Sequence, residues 1–200
     1  MQLITERLFL IPLQPDGMRA LLARTTDPEL IQPYTDMLNL SLAHPEQWVW
    51  YTAWGLYQND SGDWVGDLCF KGLPENGQPE IGYGLLPEYE HQGYATEAVR
   101  AACRWAFEQP GVTAVEAETA PDHAASQAVL HRVGFVPTGT MGAEGPRFIL
   151  RQKPSLHRQI SAFPFTSPST CAIIYSNIAV CVFNGLATSA NCISQICCYP

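Results

Sequence analysis

The spacing of apolar and polar residues changes several times along residues 1–154, between the period of a strand and that of a helix. Short runs rich in β-branched and aromatic residues predict strands at 6–13, 53–58, 64–71, 80–86, 114–119, 136–140 and 147–153. Apolar residues three and four positions apart predict helices at 15–25 and 95–108. Pro45 as a first-turn residue predicts a helix at 45–51, and a capping residue before it and Gly134 after it predict a helix at 124–133. Residues 27–42 have no decisive period, and Asp122 is the predicted N-cap of the last helix.

The order of these elements predicts a mixed α/β domain. Turn sequences at residues 59–62 and 74–77 join the second, third and fourth strands, which indicates an antiparallel meander. A helix then follows the fourth strand and another follows the fifth, as in crossover connections. We therefore expect a mostly antiparallel sheet flanked by helices, in a domain that spans residues 1–154.

The composition of the chain changes near residue 155. Each Asp, Glu, Lys and Arg side chain lies at or before Arg158, whereas five of the seven cysteines lie after residue 170. Residues 155–200 are therefore interpreted as a separate tail, which is disordered or an accidental extension of the domain. A partner-binding or membrane-surface segment and a small disulfide module are the alternatives.

The overall composition disfavours several classes of partner. A formal charge of -8 opposes binding through phosphate neutralisation, so no nucleic-acid partner is expected. Residues 1–12 lack a basic region followed by an apolar one, and no apolar run reaches the roughly 20 residues of a membrane helix. We expect no signal peptide, no membrane partner and a cytoplasmic protein. No pair of Cys-x-x-Cys motifs is present, so no metal site is expected.

Residues 88–96 form the loop most suggestive of chemistry, because they end a predicted strand and begin a predicted helix. The first N–H groups and the positive dipole end of a helix favour an anion such as a phosphate. Gly93 lets the backbone approach an anion closely, Ala95 keeps the rim low and Thr96 adds a hydroxyl. The single glycine excludes a dinucleotide fingerprint, and the lack of Gly-Lys-Ser/Thr excludes a P-loop.

Three blocks around this loop occur in the order and spacing of a known family. They are Glu-Ile-Gly-Tyr at 80–83, Gly-Tyr-Ala-Thr-Glu-Ala at 93–98 and Ser-Gln-x-Val-Leu-x-x-x-Gly-Phe at 126–135. Together they resemble the GCN5-related N-acetyltransferase (GNAT) family, and within it the branch that includes the ribosomal-protein N-terminal acetyltransferases. Residues 5–8, Thr-Glu-Arg-Leu, also resemble the opening strand of that branch, and the resemblance covers about residues 3–153.

The resemblance implies a sheet splayed between its fourth strand, 80–86, and its fifth, 114–119, with acetyl-CoA bound in the cleft as acyl donor. The implied cofactor contacts are Leu85, Leu86 and His123 with the pantetheine, and His91, Gln92, Gly93, Tyr94, Ala95 and Thr96 with the pyrophosphate. The loop departs from the family pattern at Glu90, His91 and Gln92. Glu90 puts an acid near the expected pyrophosphate.

The resemblance also implies direct transfer of the acetyl group to a primary amine of a small molecule or a peptide. Ser126 matches the serine that this branch places near the CoA sulfur and is the expected acid, while Leu130 replaces a tyrosine of many relatives. Glu80 and Glu118 are the candidate bases, and a backbone N–H near Leu86 is expected to stabilise the oxyanion. For Ser126 the alternative is a structural hydroxyl that bonds to the backbone of its own helix. For Glu80 and Glu118 the alternative is a carboxylate that is exposed to solvent on its strand and has no catalytic role.

Other functions remain open at this point. The altered loop and the tail also suit a catalytically degenerate CoA-binding or interaction module of the same fold, and a longer acyl-CoA is a third hypothesis. Core packing is expected for most of Trp48, Trp50, Trp54 and Trp64, with an aromatic acceptor wall as the alternative. The expected assembly is a monomer or a homodimer.

Deletion of residues 159–200 tests the interpretation of the tail. The truncated chain should keep the fold and any activity of the full chain, because an accidental extension contributes no contacts on which the domain depends. Circular dichroism, the midpoint of urea unfolding and turnover compare the two chains. Loss of the truncated protein from the soluble fraction would show that the tail has a structural role.

Overall fold

The structure is a computed structural model that describes residues 1–152. The strands are β1 (Leu3–Ile4), β2 (Leu8–Pro12), β3 (Ala53–Gln58), β4 (Trp64–Phe70), β5 (Ile81–Leu85), β6 (Ala114–Glu118), β7 (Val136–Met141) and β8 (Pro146–Arg151). The helices are α1 (Pro15–Arg24), α2 (Pro28–Ala43), α3 (Tyr94–Glu108) and α4 (Ala124–Val133), with 3₁₀ turns at Trp48–Trp50 and Pro87–Tyr89. The tail, residues 155–200, lies outside the described residues.

The region around α2 differs from the sequence prediction. α2 occupies the segment without a decisive period, where Asp27 caps the helix by accepting the Glu29 N–H at 2.9 Å and Pro33 interrupts the helical pattern. The predicted helix at 45–51 is wrong, since only a 3₁₀ turn forms there. The Val49 carbonyl, which a longer helix would need, accepts the indole N–H of Trp54 at 2.9 Å.

The strands form two sheets, and the predicted fold class is confirmed. β1 to β5 pair in sequence order as antiparallel neighbours, and β6, β8 and β7 form a second antiparallel sheet in that order. Between the strand edges of the two sheets, the one isolated bridge in residues 1–152 is a parallel bridge between Glu80 and Glu116. The sheet is therefore splayed between β5 and β6, which are the fourth and fifth predicted strands.

Two apolar clusters cover opposite faces of the five-stranded sheet. Ala53 packs with residues of α1 and α2, whereas Trp54, the next residue of β3, packs with residues of α3. On the α3 side, the ring of Trp105 lies 4.6 Å from that of Trp50 and 4.8 Å from that of Trp54, measured between centroids. Small alanines along α3 bring this helix close to the sheet, so Trp105 is fixed between the helix and the strands.

Trp105→Ala should lower the free energy of unfolding by about 3–5 kcal/mol, because it removes the ring at the centre of the aromatic cluster and leaves a cavity. Urea unfolding followed by circular dichroism measures the change. Glu108→Ala, an exposed substitution on the same helix, serves as the control and should change stability by less than about 0.5 kcal/mol. Equal effects of the two substitutions would contradict the packing described here.

Candidate functional site

The backbone of β5 faces a gap where the two sheets diverge. The Lys71 N–H donates to the Glu80 carbonyl at 2.8 Å and the Leu86 N–H donates to the Val65 carbonyl at 2.9 Å. Backbone groups alternate in direction along an antiparallel strand, so the N–H and C=O of Leu85 point away from β4, towards the gap. The expectation of a free oxyanion donor does not hold for Leu86 itself, since its N–H is used within the sheet.

The loop before α3 has the backbone conformation that its sequence requires. Gly93 is the N-cap of α3 with φ of 85°, and His91 is also left-handed with φ of 58°. The first N–H groups of α3 therefore have no partners within the helix. The side chain of His91 is 84% exposed and that of Glu90 is 52% exposed, so the Glu90 carboxylate is largely in solvent.

Arg7, from the turn before β2, fastens this loop to α3. Its Nη1 donates to the Gln92 carbonyl at 2.9 Å, its Nε donates to Glu97 Oε2 at 2.8 Å, and its guanidinium lies 4.5 Å from the ring centre of Tyr94. Thr5 donates its hydroxyl to Glu97 at 2.6 Å. Partial burial raises the pKa of Glu97, but the hydrogen bonds from Thr5 and Arg7 outweigh it and hold that pKa below its usual value.

A cationic groove of about 640 Å³ adjoins the start of α3. Its basic lining residues are Arg7, Arg100, Arg104 and Arg132, and the Arg100 side chain donates to the Arg132 carbonyl at 2.9 Å. Gly93 and Thr96 also line the groove. Thr96 Oγ1 is buried and has no hydrogen-bond partner within the described part of the chain. Two acids, Glu6 and Glu97, also line the groove, and Glu97 is paired with Arg7. The other three guanidinium groups, beside unpaired helix N–H groups, make this groove suited to a polyphosphate.

Tyr83 and Ser126 meet across the gap between β5 and α4. Their hydroxyl oxygens are 3.0 Å apart, and Tyr83 Oη also donates to the Ser126 carbonyl at 3.1 Å. Burial raises the pKa of Tyr83, an effect that the hydrogen bond with Ser126 partly offsets. Sequence reasoning selected Ser126 but missed Tyr83, although Tyr83 belongs to one of the three blocks. The pair forms a hydroxyl chain that can pass a proton.

His123 caps α4, and the prediction that Asp122 does so is wrong. The Nδ1 atom of His123 accepts the Ser126 N–H at 3.0 Å. The His123 carbonyl then accepts the Gln127 N–H at 3.2 Å, which starts the helix one residue later than an Asp122 cap would. This nitrogen of His123 therefore helps to fix Ser126 in place.

The two predicted bases, Glu80 and Glu118, are engaged in ion pairs or hydrogen bonds with neighbouring residues. Glu80 lies 2.5 Å from Lys71 Nζ, which also contacts Glu144 at 2.9 Å. Glu118 accepts the backbone N–H groups of Glu144 and Gly145, in the turn before β8. These backbone donors, that of Gly145 first, lower the pKa of Glu118 and make it a weaker proton acceptor. Neither carboxylate is among the lining residues of the cationic groove.

A second cleft, of about 830 Å³, lies on the α1 and α2 side of the sheet. Its floor includes Asp67 of β4 and, directly opposite in the strand pairing, Gly84 of β5. A Cβ atom added at Gly84 would meet no heavy atom within 4 Å, so the space above this part of β5 is open. Tyr83 and Leu85 line the same cleft, which therefore reaches the edge of β5 at the gap.

Asp67 is an ionisable group that sequence reasoning missed. Its Oδ2 accepts the hydroxyl of Tyr34 at 2.5 Å. Burial raises the pKa of Asp67 to about 6, against the opposing effects of the Tyr34 hydrogen bond and the charge of Arg24. Burial and the nearby carboxylate also raise the pKa of Tyr34. A carboxylate inside an otherwise apolar strand is the signal that could have pointed to this residue.

Within residues 1–152, no group of three or more His, Cys, Asp or Glu side chains is arranged to hold a metal ion. No helix in that part of the chain is both long enough and apolar enough to cross a membrane. Cys69 and Cys103 are buried free thiols, and burial raises the pKa of each to about 12. These values are consistent with small packed side chains rather than reactive nucleophiles.

Residues 7–136 match the family model described as the acetyltransferase (GNAT) domain. The chain is 28% identical over 89 residues to the uncharacterized N-acetyltransferase YoaA of Bacillus subtilis (strain 168), a match that covers 44% of this chain and 50% of YoaA. It is 30% identical over 118 residues to the FsC-acetyl coenzyme A-N(2)-transacetylase of Aspergillus fumigatus, covering 55% of this chain and 48% of that protein. The chain thus spans about half the length of these two relatives.

The fold also matches solved structures. The ribosomal L7/L12 alpha-N-protein acetyltransferase RimL, in an apo crystal form, superposes with a TM-score of 0.59 at 16% identity. The match covers 74% of this chain and 95% of RimL. At this level of identity the likeness establishes the shared fold.

Asp67→Asn should remove a component of the pH dependence of stability. From about pH 4 to pH 6 the folded state binds more protons at Asp67 than the unfolded state does, so stability falls as pH rises through that range. Urea unfolding at several pH values should show a smaller fall for Asp67→Asn than for the wild type. Asp60→Asn, at an exposed turn, should behave as the wild type does. Equal slopes for all three proteins would contradict the raised pKa.

Proposed function

Since the chain belongs to the acetyltransferase (GNAT) family, we propose that it transfers the acetyl group of acetyl-CoA directly to a primary amine. The observation that carries this proposal is the succession of two features along the chain, the open edge of β5 at Leu85 and, directly after the loop at 86–93, the cationic groove at the start of α3. A cosubstrate with a thioester at one end and phosphates at the other fits both features at once.

The residues of the groove fit the phosphates of acetyl-CoA. The N–H groups of the first turn of α3, after Gly93, would bind the pyrophosphate together with nearby guanidinium groups. Thr96 Oγ1, buried without a partner in the described residues, would donate a hydrogen bond to the same ligand. Glu90 is largely in solvent, so its charge is screened from this site. Tyr94 contributes through its contact with Arg7, which holds the loop.

The open edge of β5 fits the other end of the cosubstrate. The backbone of Leu85 would hydrogen-bond the pantetheine as an added strand would. When bound, acetyl-CoA supplies a thioester whose sulfur is the leaving group. We assign protonation of that sulfur to the hydroxyl pair of Ser126 and Tyr83, since these are the hydroxyls that meet across the gap. The cap formed by His123 keeps Ser126 in position for this role.

We propose that Glu80 and Glu118 have structural roles and hold neighbouring backbone segments in place. Glu80 is paired with Lys71, which ties the start of β5 to β4 and to Glu144. Glu118 orders the turn before β8 through two backbone N–H groups. A carboxylate that accepts these bonds loses them on protonation, which disfavours its use as a proton acceptor.

Glu90 and His91 favour a second candidate function, a module of the same fold that binds CoA but does not catalyse acetyl transfer. They stand in the half of the loop that departs from the family, and both are exposed. The two candidates differ in one measurement. An acetyltransferase releases free thiol from acetyl-CoA when an amine is added, whereas a binding module binds acetyl-CoA and CoA without thiol release.

Gly93→Trp should weaken acetyl-CoA binding by about 100-fold or more, measured by isothermal titration calorimetry. An indole at this position blocks the phosphate approach, and a Cβ there already comes within 3.4 Å of Arg7 Nη2.

Gly62→Trp is the matched control for that substitution. Gly62 has a similar φ of 75°, lies in the turn between β3 and β4, and has no heavy atom within 4 Å of an added Cβ. It therefore reports the cost of backbone strain without blocking the loop, and it should leave the dissociation constant within about twofold. Unchanged affinity in Gly93→Trp would refute the loop assignment, and absence of wild-type binding at high micromolar concentration would refute both candidate functions.

A further inference from the structure

The Asp67 carboxylate lines the cleft on the α1 and α2 side. Tyr34 holds one of its oxygens, Oδ2, at 2.5 Å. Within residues 1–152, no hydrogen-bond donor contacts Oδ1. Gly84, the strand partner of Asp67, leaves the adjacent space open. A partly buried carboxylate with one oxygen held by Tyr34 and the other without a donor among the described residues is well suited to bind an N–H donor.

The walls of this cleft are mainly apolar. They are formed by Leu21, Leu30, Pro33, Met37 and Trp64. The charged groups are few: Arg24 of α1 stacks 4.0 Å above the ring of Trp64, and Asp27 lies at the start of α2. Such a cleft desolvates an apolar body while offering a single polar contact at its floor.

The ionisable groups that face Asp67 come from three elements. Tyr34 projects from α2, Arg24 from α1 and Cys69 from β4 itself. β5 contributes Gly82 and Gly84 to this face, and neither carries a side chain that titrates. The pH dependence of the cleft in the physiological range therefore centres on Asp67, because burial raises the pKa values of Tyr34 and Cys69 far above it.

We infer that Asp67, oriented by Tyr34, binds the amino group of the acceptor and accepts its proton, and that this acceptor is a primary amine on an apolar body. The inference rests on the acetyl transfer proposed above and adds the acceptor class and the base to it. Because the cleft reaches the edge of β5 at Tyr83 and Leu85, an amine bound at its floor has a path to the gap where the thioester would lie.

The proposed step balances in atoms and protons. The neutral amine nitrogen bonds to the acetyl carbon, the bond from that carbon to sulfur breaks, and the sulfur takes a proton from the Ser126 and Tyr83 hydroxyls. One proton of the nitrogen passes to Asp67. Exchange with solvent then returns a proton to the hydroxyl pair and removes one from Asp67, so the products are the amide and free CoA.

The test compares two primary amines in a thiol-release assay, 2-phenylethylamine and ethanolamine. The wild type should prefer 2-phenylethylamine in kcat/KM by about tenfold or more, because only this amine buries an apolar body in the cleft. Asp67→Asn should lower kcat/KM for it by about 100-fold or more. The dissociation constant of acetyl-CoA in Asp67→Asn should stay within about twofold of the wild-type value, because Asp67 does not line the groove proposed for the phosphates.

The pH profile separates a base from a residue that only supports the fold. In the wild type, log(kcat/KM) should rise with a slope of about two below pH 6, where both Asp67 and the amine must lose a proton, and about one above it. Asp67→Asn should show a slope of about one throughout. Tyr34→Phe removes the hydrogen bond to Asp67 but leaves its carboxylate. The profile of this variant should therefore still change slope, but at a different pH from that of the wild type.

Each outcome decides between the two proposals. No binding of acetyl-CoA to the wild type would overturn the proposed function and this inference with it. Binding of acetyl-CoA with preference for ethanolamine would overturn the acceptor class alone. Binding of acetyl-CoA with turnover of neither amine would favour the binding module and overturn this inference together with the proposed acetyl transfer. Turnover in Asp67→Asn with the wild-type rate and slopes would overturn the role of Asp67 while leaving the acetyl transfer in place.

Discussion

The backbone of β5 must satisfy hydrogen bonds on two sides, and the site depends on how it does so. Towards β4 the pairing is continuous from Glu80 to Leu86. Towards β6 it stops after the bridge between Glu80 and Glu116. Beyond that bridge, the outward backbone groups of β5 face a gap instead of a strand. A ligand with its own donors and acceptors can complete the pairing, as an added strand would.

The rest of the domain holds that gap open and supplies its surroundings. The aromatic cluster around Trp105 fixes α3 against one face of the sheet, so the start of α3 lies at a set distance from the end of β5. Arg7 then joins the loop before α3 to the region of β2, through the Gln92 carbonyl and Glu97. On the opposite face, α1 and α2 enclose the cleft above Asp67. One face therefore serves the proposed cosubstrate and the other serves the proposed acceptor.

The sequence pattern predicted the strands and helices that have a clear period, together with the loop before α3, whereas the splay came from the resemblance to the family. α2 escaped prediction because Pro33 obscures its pattern, and the false helix at 45–51 came from taking Pro45 as the first-turn residue of a helix where only a 3₁₀ turn forms. The missed site residues depend on contacts between distant positions. Tyr83 meets Ser126 across 43 positions and Tyr34 meets Asp67 across 33. Local propensity carries no information about such pairs.

The alternation of side chains along β4 and β5 also has an evolutionary consequence. Asp67, Gly82 and Gly84 face the cleft under α1 and α2, whereas the outward backbone of Leu85 faces the gap. Substitutions at Gly82 and Gly84 alter the floor of the cleft without changing the main-chain groups that face the gap. A lineage can therefore exchange one proposed acceptor for another through a few side chains, while the backbone contacts proposed for the acyl donor along β5 are inherited intact.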